Sequence, residues 1–197
     1  MPNWCMNSMT VRGPSQQVHD LFDRIGKADE DAFFNVIKPR PADQEENWYG
    51  WNIENWGTKW DADPGEFTID DGDPEAGMST VHLNFDTAWG PPDTIAEELT
   101  EQGFDVDLMY YEPGVGFAGV YTSWAGTDHY DFEGRSADEL EDILPVELND
   151  CFGITDDIRN SEEPEDEDEF VEWYEDGVEE RQLKPHDPKS IWKDKDE

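Results

Sequence analysis

Basic residues are scarce in this chain, and long apolar runs are missing. Thirteen Lys and Arg stand against 51 Asp and Glu, a net charge of −38 over 197 residues. A polyanion of this size repels phosphate backbones and anionic membrane surfaces, so neither direct nucleic-acid binding nor membrane binding is expected. No stretch approaches the roughly 18 apolar residues that a membrane helix needs. The opening MPNWCMNSMTVRG has no basic region followed by an apolar run, so it does not read as a signal peptide. Cysteine is limited to Cys5 and Cys151. Two are too few for a secreted disulfide scaffold or for the usual four thiolates of an iron–sulfur cluster. Free thiols and a cytoplasmic location in the host cell are expected. The HExxH, CxxC, GxSxG and GxxxxGK[ST] patterns are also missing, so no catalytic residue, metal or cofactor is assigned.

Large aromatics, in contrast, are plentiful. Hydrophobic residues reach only 35%, yet 13% are aromatic and nine are Trp. Disordered chains are depleted in such residues, which predicts a core built on Trp and Phe. The charge is uneven. Residues 1–60 hold 9 acids and 6 bases, residues 61–160 hold 26 and 2, and residues 161–197 hold 16 and 5.

Periodicity places the elements. Residues 3–12 read as a strand ended by Gly13-Pro14. Ser15 is placed to cap a helix over 16–25, where Val18, Leu21, Phe22 and Ile25 share a face. Phe33, Phe34, Val36 and Ile37 read as a short second strand, followed by an aromatic insert over 47–60. Phe67 to Ile69 is a strand. Residues 78–86 alternate, with Val81, Leu83 and Phe85 on one face. A helix follows over 93–102 and strands over 104–111 and 117–124, with an edge strand at 129–132. Ser136 and Glu139 form a capping box for a helix over 137–143, and 146–152 extends it.

Two strand–helix–strand halves predict an α+β, ferredoxin-like sandwich over 1–152: an antiparallel sheet with helices on one face, plus the aromatic insert. Residues 153–197 read as an acidic, partly disordered tail. The tail carries a candidate acidic surface at Glu162, Glu163, Glu165, Asp166, Glu167 and Asp168. It also has a short aromatic segment at 170–174 suited to docking on the body or on a partner.

Four segments, MPNWCMNSMTVRG (1–13), NWGTKWDA (55–62), FDTAWGPP (85–92) and YEPGVGFAGVY (111–121), resemble the YubB-type ferredoxin-like domain family of plasmid and phage proteins. The resemblance covers roughly residues 1–125. It implies a ferredoxin-like fold and a mobile-element origin, and it brings no catalytic residues.

The candidate binding surface is the tryptophan group: Trp48, Trp51, Asn55, Trp56, Lys59 and Trp60, with Trp89. Such a group suits an aromatic platform for a base, a sugar or a partner side chain. The favoured reading is a plug at one end of a small sheet, with Asn55 bonding the backbone and Gly57 at positive φ, because large aromatics dominate small cores. Asp128, His129 and Asp131, with His82, are a weak metal grouping. The turn DDGDPE (70–75) resembles a calcium loop without its full pattern. The acidity has two explanations. One is a high-salt cytoplasm, where salt screens the self-repulsion. The other is a mimic of DNA that blocks a defence nuclease or another DNA-binding protein. The expectation is a non-enzymatic virus- or plasmid-type accessory protein with a protein partner, in one case a basic DNA-processing protein.

Overall fold

A computed structural model describes residues 3–29, 32–72 and 75–162 of the protein. The first strand, β1 (Trp4–Pro14), becomes the middle of the sheet. Its alternation puts Cys5, Asn7, Met9 and Val11 on one buried face. Gly13 and Pro14, expected to break the strand, are its last two residues. Proline is tolerated there because the strand end needs no further ladder donor. In α1 (Ser15–Ile25), Val18, Leu21 and Ile25 are buried as the spacing predicts. Ser15 does not cap this helix: Pro14 holds the cap position, and the Ser15 hydroxyl lies 2.9 Å from that of Ser79.

Phe33–Ile37, expected as a strand, is the short helix α2. Five residues make a weak helix on their own. A distant carboxylate supplies the missing cap: Asp61 accepts the Phe34 and Asn35 backbone N–H groups at 2.6 and 3.0 Å. Phe33, Phe34 and Ile37 are buried, and both rings pack edge-on to Phe85. At about 2–3 kcal/mol for each buried Phe, this burial outweighs the weak local propensity. The aromatic insert is helix α3 (Trp48–Trp56), closed by Gly57 at φ 77°.

The remaining elements follow the periodicity: β2 (Phe67–Asp70), β3 (Met78–Ala88), α4 (Asp93–Glu101), β4 (Asp105–Glu112), β5 (Phe117–Thr122) and β6 (Gly126–Asp131). The six strands are antiparallel in the order β2-β3-β1-β4-β5-β6. Thus β1 and β2 flank β3, while β3 and β4 flank β1. These are two interleaved strand–helix–strand units.

Helices α5 (Ala137–Glu141), α6 (Val146–Phe152) and α7 (Ile154–Glu162) come last. The expected capping box is present, with the Glu139 N–H donating to the Ser136 hydroxyl and the Glu139 carboxylate accepting the Ser136 N–H. The expectation of helices on one face needs correction. The main core joins α1 to α4 with one face of the sheet. A second core on the other face joins Tyr111, Ala118 and Phe132 to Leu140, Leu144, Leu148 and Ile154. With both faces covered, β4 departs from simple alternation, and Tyr110, Tyr111 and Glu112 are all buried.

The compact unit holding these cores ends at Arg159. The segment after 152, expected to begin the tail, is helical to 162, and Ile154 and Thr155 are buried. Its only apolar spacing is Ile154 to Ile158, too little to read as a docked helix from sequence. Glu162 is the last residue of α7. Glu163, Glu165, Asp166, Glu167, Asp168 and the segment 170–174 lie outside the described residues.

Candidate functional site

The four sequence segments singled out above meet at one end of the sheet. Trp4 opens β1 and pairs with Ala88 at the end of β3. The Trp89 N–H donates to the Asn3 carbonyl at 2.9 Å, so the two segments close on each other. The β4–β5 turn sits beside them: a Cβ on Gly114 would come within 2.9 Å of the Asn3 side chain. Lys59 and Trp60 enter from the turn after α3, where the Thr58 hydroxyl donates to the Trp60 carbonyl at 2.8 Å.

The indoles form a row, with Trp60 6.4 Å from Trp4 and 6.4 Å from Trp89, centroid to centroid. The Lys59 ammonium stands 4.5 Å from the Trp60 ring centre and 5.0 Å from that of Trp89, within cation–π range. Trp4, Trp60 and Trp89 are 49%, 39% and 48% exposed. Each ring thus leaves a large share of its apolar area to solvent.

Trp89 has φ 70°, and among the described residues it is the only non-glycine with positive φ. A bulky side chain in the left-handed region costs about 1–2 kcal/mol. Buried hydrogen bonds hold the turn. Asn7 Nδ2 donates to Thr87 Oγ1 at 2.9 Å, and Thr87 Oγ1 donates to the Gly90 carbonyl at 2.7 Å.

A cleft of about 810 Å³ opens beside the row. Trp4, Trp60, Met6, Asp63, Asp86 and Phe152 are among the residues that line it. A smaller pocket of about 390 Å³ also borders Trp60 and contains Arg40, Trp48 and Trp56.

The predicted group therefore divides. Lys59, Trp60 and Trp89 come together at the surface. Trp56 is core: it is buried, its Nε1 donates to the Lys38 carbonyl at 2.9 Å, and Trp51 packs edge-on against it. Asn55 donates to the Trp51 carbonyl within the helix, the bland role foreseen for it. Trp48 is exposed on α3 and meets Tyr49 edge-on. Trp4, Asp63, Asp86 and Phe152 were not in the predicted group. Trp4 carried a signal, being the tryptophan of the first segment. Asp86 carried none in a chain with so many acids.

Several other polar groups are shifted by burial. Burial pushes the Cys5 thiol up to about 12, and Cys5 and Cys151 are both free. Tyr110 Oη lies 2.9 Å from His129 Nδ1, and His129 Nε2 lies 3.3 Å from Asp131. Burial also raises the Tyr110 phenol. Asp93 is raised to about 6, first by burial and then by Glu97, and its Oδ1 is buried without a partner. His82 and His129 do not converge. His82 pairs with Thr10 on one face, while His129 stacks near Tyr110 and Phe117 on the other. Among the described residues no group of three or more His, Cys, Asp or Glu is placed to hold a metal ion. Nor is any described helix long and apolar enough to cross a membrane.

No family model matches the chain, and no curated protein matches it. Among solved structures it is similar to protein api92 from Yersinia pseudotuberculosis, assigned to the family model DUF1281. The identity is 11%, the match covers 66% of this chain and 98% of that one, and the TM-score is 0.38.

Proposed function

We propose that this is a virus- or plasmid-type accessory protein that acts by binding another protein, without catalysis. Its working surface is the Trp4–Lys59–Trp60–Trp89 end of the sheet. One observation carries this reading: three indoles from three distant segments stand exposed in a row, one of them on a strained backbone. Exposed aromatics cost solubility, and strain costs stability. Surfaces that keep both are characteristic of recognition sites. The raised pKa values of the Cys5 thiol and the Tyr110 phenol support binding over nucleophilic chemistry. The strand order β2-β3-β1-β4, with its interleaved crossovers, supports a ferredoxin-like core extended by β5 and β6.

The acidity fits a high-salt cytoplasm. Exposed carboxylates occur on α1, α4, α5, α6 and α7 and on the β5–β6 side alike. A DNA mimic would instead gather them in two rows along one face. The partner contact is tested by affinity capture with the wild type, a Lys59→Ala/Trp60→Ala variant and a Trp124→Ala control. Trp124 is 84% exposed outside the row. The expected result is one partner retained by the wild type and the control and lost by the double variant. Equal capture by all three would remove this surface from the function.

A further inference from the structure

We infer that the cleft beside Trp4 and Trp60 receives an arginine side chain from a basic segment of the protein partner. This rests on the protein-binding reading above and gives that surface its anchor.

The neighbouring slot shows the principle within the molecule. Trp60 and Trp89, 6.4 Å apart, both lie within cation–π range of the Lys59 ammonium, which sits over the pair. Trp4 and Trp60 repeat the 6.4 Å spacing with a 41° tilt, and both rings line the cleft. Lys59 and Trp89 lie outside that lining, so the protein's own cation does not fill the second slot. A planar cation between two rings needs about 7 Å, twice a van der Waals contact of about 3.5 Å. The tilt opens one side of the slot towards that width. Guanidinium suits such a slot better than ammonium, because it is planar, weakly hydrated and stacks on indole.

The charges agree. Asp63 and Asp86 line the cleft. Asp63 Oδ1 accepts the Gly65 N–H at 2.9 Å. Asp86 makes no side-chain hydrogen bond or ion pair with any described residue. Its surroundings desolvate the carboxyl and raise it above the ordinary range, although solvent reaches the residue. A carboxylate that lines the cleft without a protein partner is a site that a cation improves. Met6 and Phe152 offer apolar walls for the three-carbon stem of arginine. An anionic ligand would meet Asp63 and Asp86 instead. The net charge of −38 would steer a basic partner towards this surface from a distance.

The test uses the full chain at a KCl concentration where it is folded. The probe is a blocked Gly-Gly-Arg-Gly-Gly peptide, with citrulline replacing arginine in the neutral control. Indole N–H resonances are followed by NMR. The arginine peptide is expected to shift Trp4 and Trp60 saturably, and the citrulline peptide is not. Asp86→Asn and Trp4→Leu should each weaken binding about five-fold or more, as expected for losing about 1 kcal/mol. Trp124→Ala should change nothing. If Trp4→Leu fails to fold, Asp86→Asn still decides, because it changes a solvent-reachable side chain without changing its shape. Equal response to both peptides would overturn the inference. So would unchanged affinity in Asp86→Asn, or a parallel shift of the Trp124 resonance, which marks diffuse accumulation of cations. If partner capture depends on Lys59 and Trp60 while the arginine peptide fails to bind, this anchor falls and the protein-binding surface stands. If capture is also indifferent to Lys59 and Trp60, both fall.

Discussion

Trp89 sets stability against use at a single residue. Its backbone adopts a conformation that glycine takes without strain, and its ring stands exposed over Lys59. Trp89→Gly should leave the unfolding free energy unchanged or raise it by up to about 1 kcal/mol. The same substitution should abolish partner capture. A thermal melt alongside the capture assay separates the two effects, and a large loss of stability would mean that the ring is structural. Asp93 makes a second prediction. Its folded pKa of about 6 lies above the ordinary 3.8. Between those values the folded state keeps a proton that the unfolded state loses, so stability falls as pH rises through the window. Above about pH 6.5 the full cost is present. Asp93→Asn should therefore be more stable than the wild type by about 1–2 kcal/mol at pH 7.5, a two-unit shift discounted for partial exposure. The two proteins should converge near pH 3.5. Denaturant titrations of both across that range read the difference directly. Sequence singled out Trp89 as a candidate but not its strained backbone, and it did not mark Asp93. A left-handed tryptophan is made by the Asn7–Thr87–Gly90 hydrogen bonds, and those residues come together only in the sheet.

Elements with one clear face were legible. The strand β1 alternates over its 11 residues and β3 over all but its last, and α1 and α4 carry single apolar stripes, so periodicity located them. The short helix α2 was misread because four apolar residues in five fit a buried strand as well as a helix. What decides between them is the Asp61 carboxylate, about 25 residues further along the chain. Asp61→Ala should uncap α2 and cost about 1–2 kcal/mol, measured by chemical denaturation at fixed KCl. A loss below about 0.3 kcal/mol would mean that packing of Phe33 and Phe34 holds the helix unaided. The second core stayed hidden for a related reason. Helices α5 to α7 are short, and their apolar residues are too sparse to announce a covered face. The close approach of β5 to Tyr110 was equally invisible. A Cβ on Gly119 would lie 2.3 Å from Tyr110 Oη, a constraint set by two neighbouring strands together.

At the scale of the whole molecule, charge dominates. Few of the carboxylates have cationic partners among the described residues, where ion pairs involve Arg12, His19, Lys27, Lys38, His129 and Arg159. The rest repel one another across a Debye length of roughly 10 Å at 0.1 M salt and about 3 Å at 1 M. Unfolding of the full chain followed against KCl should therefore show stability rising steeply from low to molar salt. A protein fully stable at low salt would remove the high-salt explanation and turn attention to a basic DNA-processing partner.

The central position of β1 bears on how the chain is made. Its ladder partners are β3, at 78–88, and β4, at 105–112. Of the six strands β1 is made first, yet it gains its second partner only when β4 has followed it. At translation rates of 5–20 residues per second, it waits roughly 4–15 s for its first partner and about 5–20 s for its second. Over that interval Cys5, Met9 and Val11 are exposed to any neighbouring nascent chain, and the acids that follow them in sequence keep such chains apart.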